Sequence, residues 1–427
     1  MVLRALAILE HDSRSDVAHA LAHLLEHEDV EIRAAALAAT AGSITYRAQR
    51  LARLADPDPR LRAAAAVASI DDPEFGDAAT TTISHMVGGS TAERLALAHA
   101  SSHLPDLRLR GMLYELLPPH EPEVVRAVVH VLSLAPEQAD LDRLLGLLAY
   151  PWARGDVRRI FLGAGRRGLD RLISALEDSR TPLAVRQHLP RTISRFGSRR
   201  AAAALVAWLA KESDSTTLHK LLRALGRMRN ADPTLRIDSG AVRAFAVRSV
   251  TDAARYASLA DAFRDLSRAD TKDSTLIIDL LREEYEDCLE HVFRALGILH
   301  PRAGLRSVHD ALLDNDEARR SAAREILEAS APPAVRRPLV ELLDARSPAD
   351  LRRLGKLDPG GLATYQQLLA TLLEDRSESV RCVAAYHVGE RHLVALRSDL
   401  ARLRAIPSPV LVARAFDQAI GRLDARP

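Results

Sequence analysis

One pattern recurs along this chain at almost constant spacing: an acidic or proline-containing turn, an aliphatic residue, an arginine, then an alanine-rich run. It appears in Asp29-Val30-Glu31-Ile32-Arg33-Ala34-Ala35-Ala36-Leu37 and in Asp56-Pro57-Asp58-Pro59-Arg60-Leu61-Arg62-Ala63-Ala64. It returns in Glu121-Pro122-Glu123-Val124-Val125-Arg126-Ala127, between Asp178 and Val185-Arg186, and from Asp375 through Val380-Arg381-Cys382-Val383-Ala384-Ala385. Aligned on the arginine, the series runs Arg33, Arg62, Arg94, Arg126, Arg158, Arg186, Arg319, Arg352 and Arg381. His219 holds the position after Arg186. The step is roughly 28–33 residues, inside the 20–50-residue range of stacked supersecondary units.

Each period reads as two helices. The first carries leucine at helical spacing, as in Leu141, Leu144, Leu145 and Leu148, or Leu368, Leu369, Leu372 and Leu373. The turn then breaks it, with Asp58 placed to cap the second helix and Pro59 in its first turn, where a missing N–H costs nothing. Glu121-Pro122 offers the same start. A helix pair of this size cannot bury its apolar face alone, so neighbours must stack. No alternating strand pattern appears. The expected class is all-α, an α-solenoid of stacked helical hairpins.

Composition agrees. The hydrophobic share is 47% with only 4% aromatic, so the core is built from Ala and Leu, which suits closely packed helices. The net charge of +2 sets no global sign. Cys288 and Cys382 stand far apart and build neither a disulfide framework nor a zinc site. No window reaches the ~18 apolar residues of a membrane span, and the N-terminal apolar stretch is too short for a signal peptide. A cytoplasmic protein is expected.

The turns with Asp, Pro and Val-Arg-Ala-Ala resemble the HEAT-repeat family, including its bacterial short-repeat branch related to phycobilin-lyase repeats. The resemblance covers most of residues 1–230 and 300–427, and implies that the repeated Asp and Arg hold adjacent repeats together. It divides the chain into an N-terminal HEAT array at 1–235, a divergent helical segment at 236–300 and a C-terminal HEAT array at 301–427. In the divergent segment the pattern predicts helices near 240–256 and 257–268, then a longer one from Ser274 to Leu299. A weaker resemblance is carried by Val185-Arg186-Gln187-His188-Leu189-Pro190-Arg191 and Phe196-Gly197-Ser198-Arg199-Arg200. It is carried also by Cys288-Leu289-Glu290-His291-Val292-Phe293-Arg294 through His300-Pro301, and by Arg319-Arg320-Ser321-Ala322-Ala323-Arg324. These look like the soluble HEAT extensions of transporters similar to nucleotide translocases. That implies a membrane-proximal module, either free-standing or part of a larger protein, without the family's transmembrane helices.

No catalytic constellation emerges. GxxxxGK[ST], GxSxG, HExxH and paired CxxC are absent. Gly163-Ala164-Gly165-Arg166-Arg167-Gly168 looks like a phosphate loop but follows no strand, and reads as an inter-helix turn. His19, His23 and His27 share one helical face without a further ligand set. The pairs His27-Glu28 and His120-Glu121 fall in turns, and Trp152 and Trp208 sit in no diagnostic motif. No enzyme, cofactor or metal is expected.

The candidate interaction surface is basic. Between Arg154 and Arg200 lie twelve arginines against Asp156, Asp170, Glu177 and Asp178. From these, Arg158, Arg159, Arg166, Arg167, Arg186, Arg191, Arg195, Arg199 and Arg200 are singled out as a surface able to steer an anionic partner. The helix at Asp279–Glu290 is by contrast acidic. The expectation is a non-enzymatic protein-binding or scaffold protein using an extended repeat surface. The alternatives are a cytoplasmic module of a nucleotide-translocase-like transporter, and nucleic-acid binding through the 154–200 arginines.

Overall fold

The computed structural model describes residues 15–102, 107–117, 121–134, 136–178, 180–267, 274–301, 304–312, 316–357 and 364–425. Among them the secondary structure is helical throughout, with no strand. The chain forms two compact units, residues 1–175 and 176–427.

Unit 1 contains α1 (Ser15–Leu25), α2 (Val30–Ala38), α3 (Arg47–Arg53), α4 (Pro59–Ala68), α5 (Gly76–Val87) and α6 (Thr91–Ala100). It continues with α7 (Leu107–Glu115), α8 (Pro122–Leu134), α9 (Gln138–Leu144), a 3-10 turn (Leu145–Ala149), α10 (Arg154–Gly163) and α11 (Gly165–Glu177), which ends just past the unit boundary. Alternate helices pack in succession: α2 on α4, α4 on α6, α6 on α8, α8 on α10. On the other side α3 and α5 lean on α4, and α5 also reaches α6 and α7.

Local chemistry starts these helices where the sequence places them. Asp29 accepts the Glu31 N–H at 2.8 Å and Asp58 the Arg60 N–H at 2.9 Å, with Pro59 opening α4. Ser90 and Glu93 close a reciprocal capping box on α6. α4 shows why alanine dominates. It is flanked by α2, α3, α5 and α6, so Leu61 and every residue from Ala63 to Ala68 are buried. A helix enclosed on several sides has no room for larger residues, and alanine lets neighbours approach to the short end of the 8–10 Å interaxial range.

The stretch Gly163–Gly168 spans the junction of α10 and α11, with Ala164 alone between the two helices. Gly165 has φ +57°, and a Cβ on Gly168 would fall on the Phe161 carbonyl. Both glycines are there for the backbone.

Unit 2 contains α12 (Leu183–Arg186), α13 (Leu189–Ser194), α14 (Arg199–Leu209), α15 (Ser215–Ala231), α16 (Ser239–Ser267) and α17 (Thr275–Leu299). Then come α18 (Leu305–Leu312), α19 (Glu317–Ser330), α20 (Pro333–Leu343), α21 (Pro348–Leu354), α22 (Tyr365–Leu373), α23 (Glu378–Glu390), α24 (Arg397–Arg404) and α25 (Val410–Asp424). One layer runs α13, α15, α17, α23, α25, and a second runs α14, α16, α22, α24. The helix predicted to break near 256–257 does not: α16 continues for 29 residues through Tyr256. No Pro or Gly follows Gly240 in that helix, and Ala253, Ala254, Tyr256, Leu259, Ala260 and Phe263 are all buried. The long helix expected from Ser274 to Leu299 forms as Thr275–Leu299, with Ser274 at its N-cap position.

Both layers skip α18–α21. α17 packs directly on α23, and α16 on α22, while α20 and α21 lie against α16. Arg319 and Arg352 keep the repeat spacing in sequence, but their helices, α19 and α21, form a side lobe. Gly355 seats that lobe: a Cβ there would stand 2.7 Å from the backbone N and Cα of Arg255.

Candidate functional site

The recurring arginine has a definite local task. Arg33 donates to the carbonyls of His27 and Glu28 at 2.6 and 2.8 Å, Arg62 to Asp56 O at 2.6 Å, and Arg94 to Gly89 O at 2.9 Å. Each lies five or six residues upstream, in the turn before the arginine's own helix, where carbonyls lack intrahelical donors. In the 126–158 interval the role falls to Arg154, which donates to Leu148 O at 2.7 Å and Ala149 O at 2.8 Å.

Some of these arginines also reach the next period. Arg62 pairs with Glu93 and Arg94 with Glu121; Arg60 meets Glu31 at 3.2 Å, Arg110 meets Asp140 and Arg171 meets Asp142. Separations within these pairs are 27 to 31 residues, one repeat step. Glu93 is held below the usual carboxylate range, first by the Ser90 N–H and hydroxyl of its capping box and then by Arg62. The hydrogen bonds of Arg33 stay in its own turn, whereas Arg62 and Arg94 do both jobs.

Across α2, α4 and α6 lies a groove of about 750 Å³. Ala34, Ala35, Ala64, Ala92, Ala96 and Ala100 line it with Leu95 and His99, and Glu31, Asp58 and Arg60 add a charged rim. Arg60 bonds Asp58 at 2.8 Å and holds its carboxyl below the usual range. This rim is therefore charged but internally paired, beside an apolar lining.

The nine arginines singled out from the sequence divide between the two units. Arg158, Arg159, Arg166 and Arg167 belong to unit 1, the other five to unit 2. Arg158 is buried, Arg159 pairs with Asp156, and Arg166 lies 3.7 Å from Asp170. Arg186 lies 3.3 Å from Glu212, a buried carboxylate that also accepts the Trp208 indole N–H and the N–H groups of Ser213 and Asp214. Arg167, Arg191, Arg195, Arg199 and Arg200 are exposed. Arg191 and Arg195, at the end of α13, come near Arg227 of α15, which lies with Arg223 outside the sequence-derived set. Burial and these three like charges push Arg227 below its ordinary value.

The most perturbed titratable groups gather inside unit 2. Tyr256 donates to Asp375 Oδ1 at 2.9 Å, Arg255 pairs with Asp375 Oδ2 at 2.6 Å, and the Ser377 hydroxyl donates to Glu284 at 2.6 Å. Ser215 donates to Asp287. Glu284, Asp287, Cys288 and His291 share one face of α17, opposite Arg248, Asp252 and Tyr256 of α16. Burial raises Glu284 to about 7, aided by Asp375, Asp287 and Asp214, and lowers His291 to about 4. Burial also raises Asp252 and the Cys288 thiol. Perturbed groups often mark active sites, but the cavity between these is only about 50 Å³, space for a water or two rather than a substrate. The cluster joins α15, α16, α17 and the start of α23.

Among the described residues no group of His, Cys, Asp and Glu is arranged to hold a metal ion. His23 is exposed and the His27 ring accepts the Asp29 N–H; the side chain of His19 and all of His120 lie outside the described residues. No helix is long and apolar enough to cross a membrane. No family model matches the chain, and no characterised protein matches it.

Proposed function

We propose that the chain is a non-enzymatic binding or scaffold protein of HEAT type, acting in the cytoplasm, whose helical pairs form a solenoid and present a partner-binding face. The observation that carries this reading is the ladder of ion pairs and carbonyl caps recurring once per period, with an apolar groove running across three successive helices of the same layer. A surface built from equivalent positions of consecutive repeats accepts an elongated partner without change to the core. The alanine lining admits a close-lying helix or extended segment, and the paired rim of Glu31, Asp58 and Arg60 offers polar contacts at its border.

The test compares quantitative capture of partners by the wild-type chain and by the double variant Ala34→Glu, Leu95→Glu, both positions only half-buried. The reading expects a stoichiometric protein partner that the variant loses while its thermal unfolding stays unchanged. Retention of that partner at wild-type level, or a purified catalytic turnover, would overturn it.

A further inference from the structure

We propose that Arg191, Arg195, Arg223 and Arg227 form a landing site for the phosphate backbone of a double-stranded nucleic acid. α13 and α15 pack side by side, and just before α13 the Gln187 side chain accepts a hydrogen bond from the Lys220 ammonium of α15 at 3.3 Å. Arg191 and Arg195, at the end of α13, and Arg223, one turn earlier on α15, are the three cations that Arg227 feels. All four arginines are exposed. Among the described residues no carboxylate forms an ion pair with any of them, unlike Arg186, Arg294 or Arg229, which are engaged by Glu212, Glu290 and two backbone carbonyls. Burial lowers Arg227, and the like charges of Arg191, Arg223 and Arg195 lower it further. Such repulsion is relieved by a polyanion.

The surroundings discriminate among polyanions. Among the described residues between Tyr150 and Leu276 no large hydrophobic residue is exposed, so the patch lacks the apolar anchor at the centre of most protein interfaces. It carries no exposed aromatic ring on which an unpaired base could stack, as single-strand sites do. Gly226, between Arg223 and Arg227, has open space where a side chain would stand, so a bulky backbone can approach closely. Four arginine forks without apolar or stacking groups fit contacts to duplex phosphates, which position without reading sequence. The inference stands independently of the groove in unit 1.

The experiment is fluorescence anisotropy of a labelled mixed-sequence 20-base-pair duplex with the full chain at 50 and 200 mM salt. Up to four phosphate contacts predict about a hundredfold weakening over that range. The variant Arg223→Gln, Arg227→Gln is expected to weaken binding at 50 mM salt at least tenfold and to flatten the salt slope by about half. The control Arg337→Gln, on an arginine 86% exposed elsewhere in the unit, leaves both unchanged. Unfolding curves confirm that the exposed substitutions keep the fold. No binding at 50 mM salt, binding insensitive to the double variant, tighter binding of the single strand, or equal competition by a polyglutamate peptide would each overturn the proposal, the last in favour of an acidic protein.

Discussion

Arg62 concentrates the logic of the repeat in one side chain, because its guanidinium closes its own turn through Asp56 O and reaches the next period through Glu93. Removing it leaves a half-buried carbonyl without its donor. Arg62→Ala is expected to destabilise by about 1–3 kcal/mol, the range for a charge-assisted hydrogen bond, read from the urea midpoint. Arg62→Lys recovers only part, since one ammonium does not reproduce the two-ended fork. The turn partner of such an arginine is legible in sequence, since it lies a fixed five or six residues upstream. Its partner in the next repeat depends on how helices dock, which is why Arg33 and Arg62 look alike in sequence and bond differently. The same limit hid half of the basic patch. Arg191 and Arg195 stand out in a charge run, but Arg227 joins them only through the packing of α15 on α13.

Glu284 adds a pH signature at the same scale. Its folded pKa, raised to about 7 chiefly by burial, means the folded state holds a proton that the unfolded chain releases near its ordinary value. Stability from this group is therefore full below the unfolded pKa and is lost as pH rises toward about 7. His291 works the other way: lowered to about 4, it removes stability as pH falls from its ordinary range. The two oppose each other at mildly acidic pH, and Glu284 acts alone close to neutrality. Glu284→Gln, which still accepts the Ser377 hydroxyl, is expected to leave stability at pH 5 nearly unchanged. At pH 8 it raises stability by an amount on the order of 2 kcal/mol. Paired urea titrations at the two pH values check this, and an equal shift at both would refute it.

At the scale of elements, starts were more legible than destinations. Asp58-Pro59 announces α4 because capping is local, and Asp58→Ala is expected to cost about 1 kcal/mol in thermal or urea unfolding. The course of α16 through Tyr256 was not legible, since only tertiary burial distinguishes one 29-residue helix from two shorter ones. Nor was the side lobe, because Arg319 and Arg352 keep their spacing while α20 and α21 turn onto α16. Gly355 makes that docking testable. Its backbone is in ordinary helical territory, so Gly355→Ala introduces only the 2.7 Å approach to Arg255. The expected loss is about 1–3 kcal/mol, as for overpacking. Faster hydrogen exchange in α20 and α21 than in α22 and α23 is expected to accompany it.

For the whole molecule the central claim is that unit 1 is additive: each pair of helices leans on its neighbours, and one period is interchangeable with the next. Excising residues 61–92 removes one full step and brings Arg94 into the place of Arg62, with Glu93 directly after Arg60. Excising about half a period instead puts an outer helix where an inner one belongs. Far-ultraviolet circular dichroism with urea unfolding of the two deletions is the direct test. Serial stacking predicts that the full-period deletion keeps its helicity per residue and unfolds cooperatively at a lower midpoint, while the half-period deletion loses cooperative unfolding. Equal collapse of both deletions would contradict it.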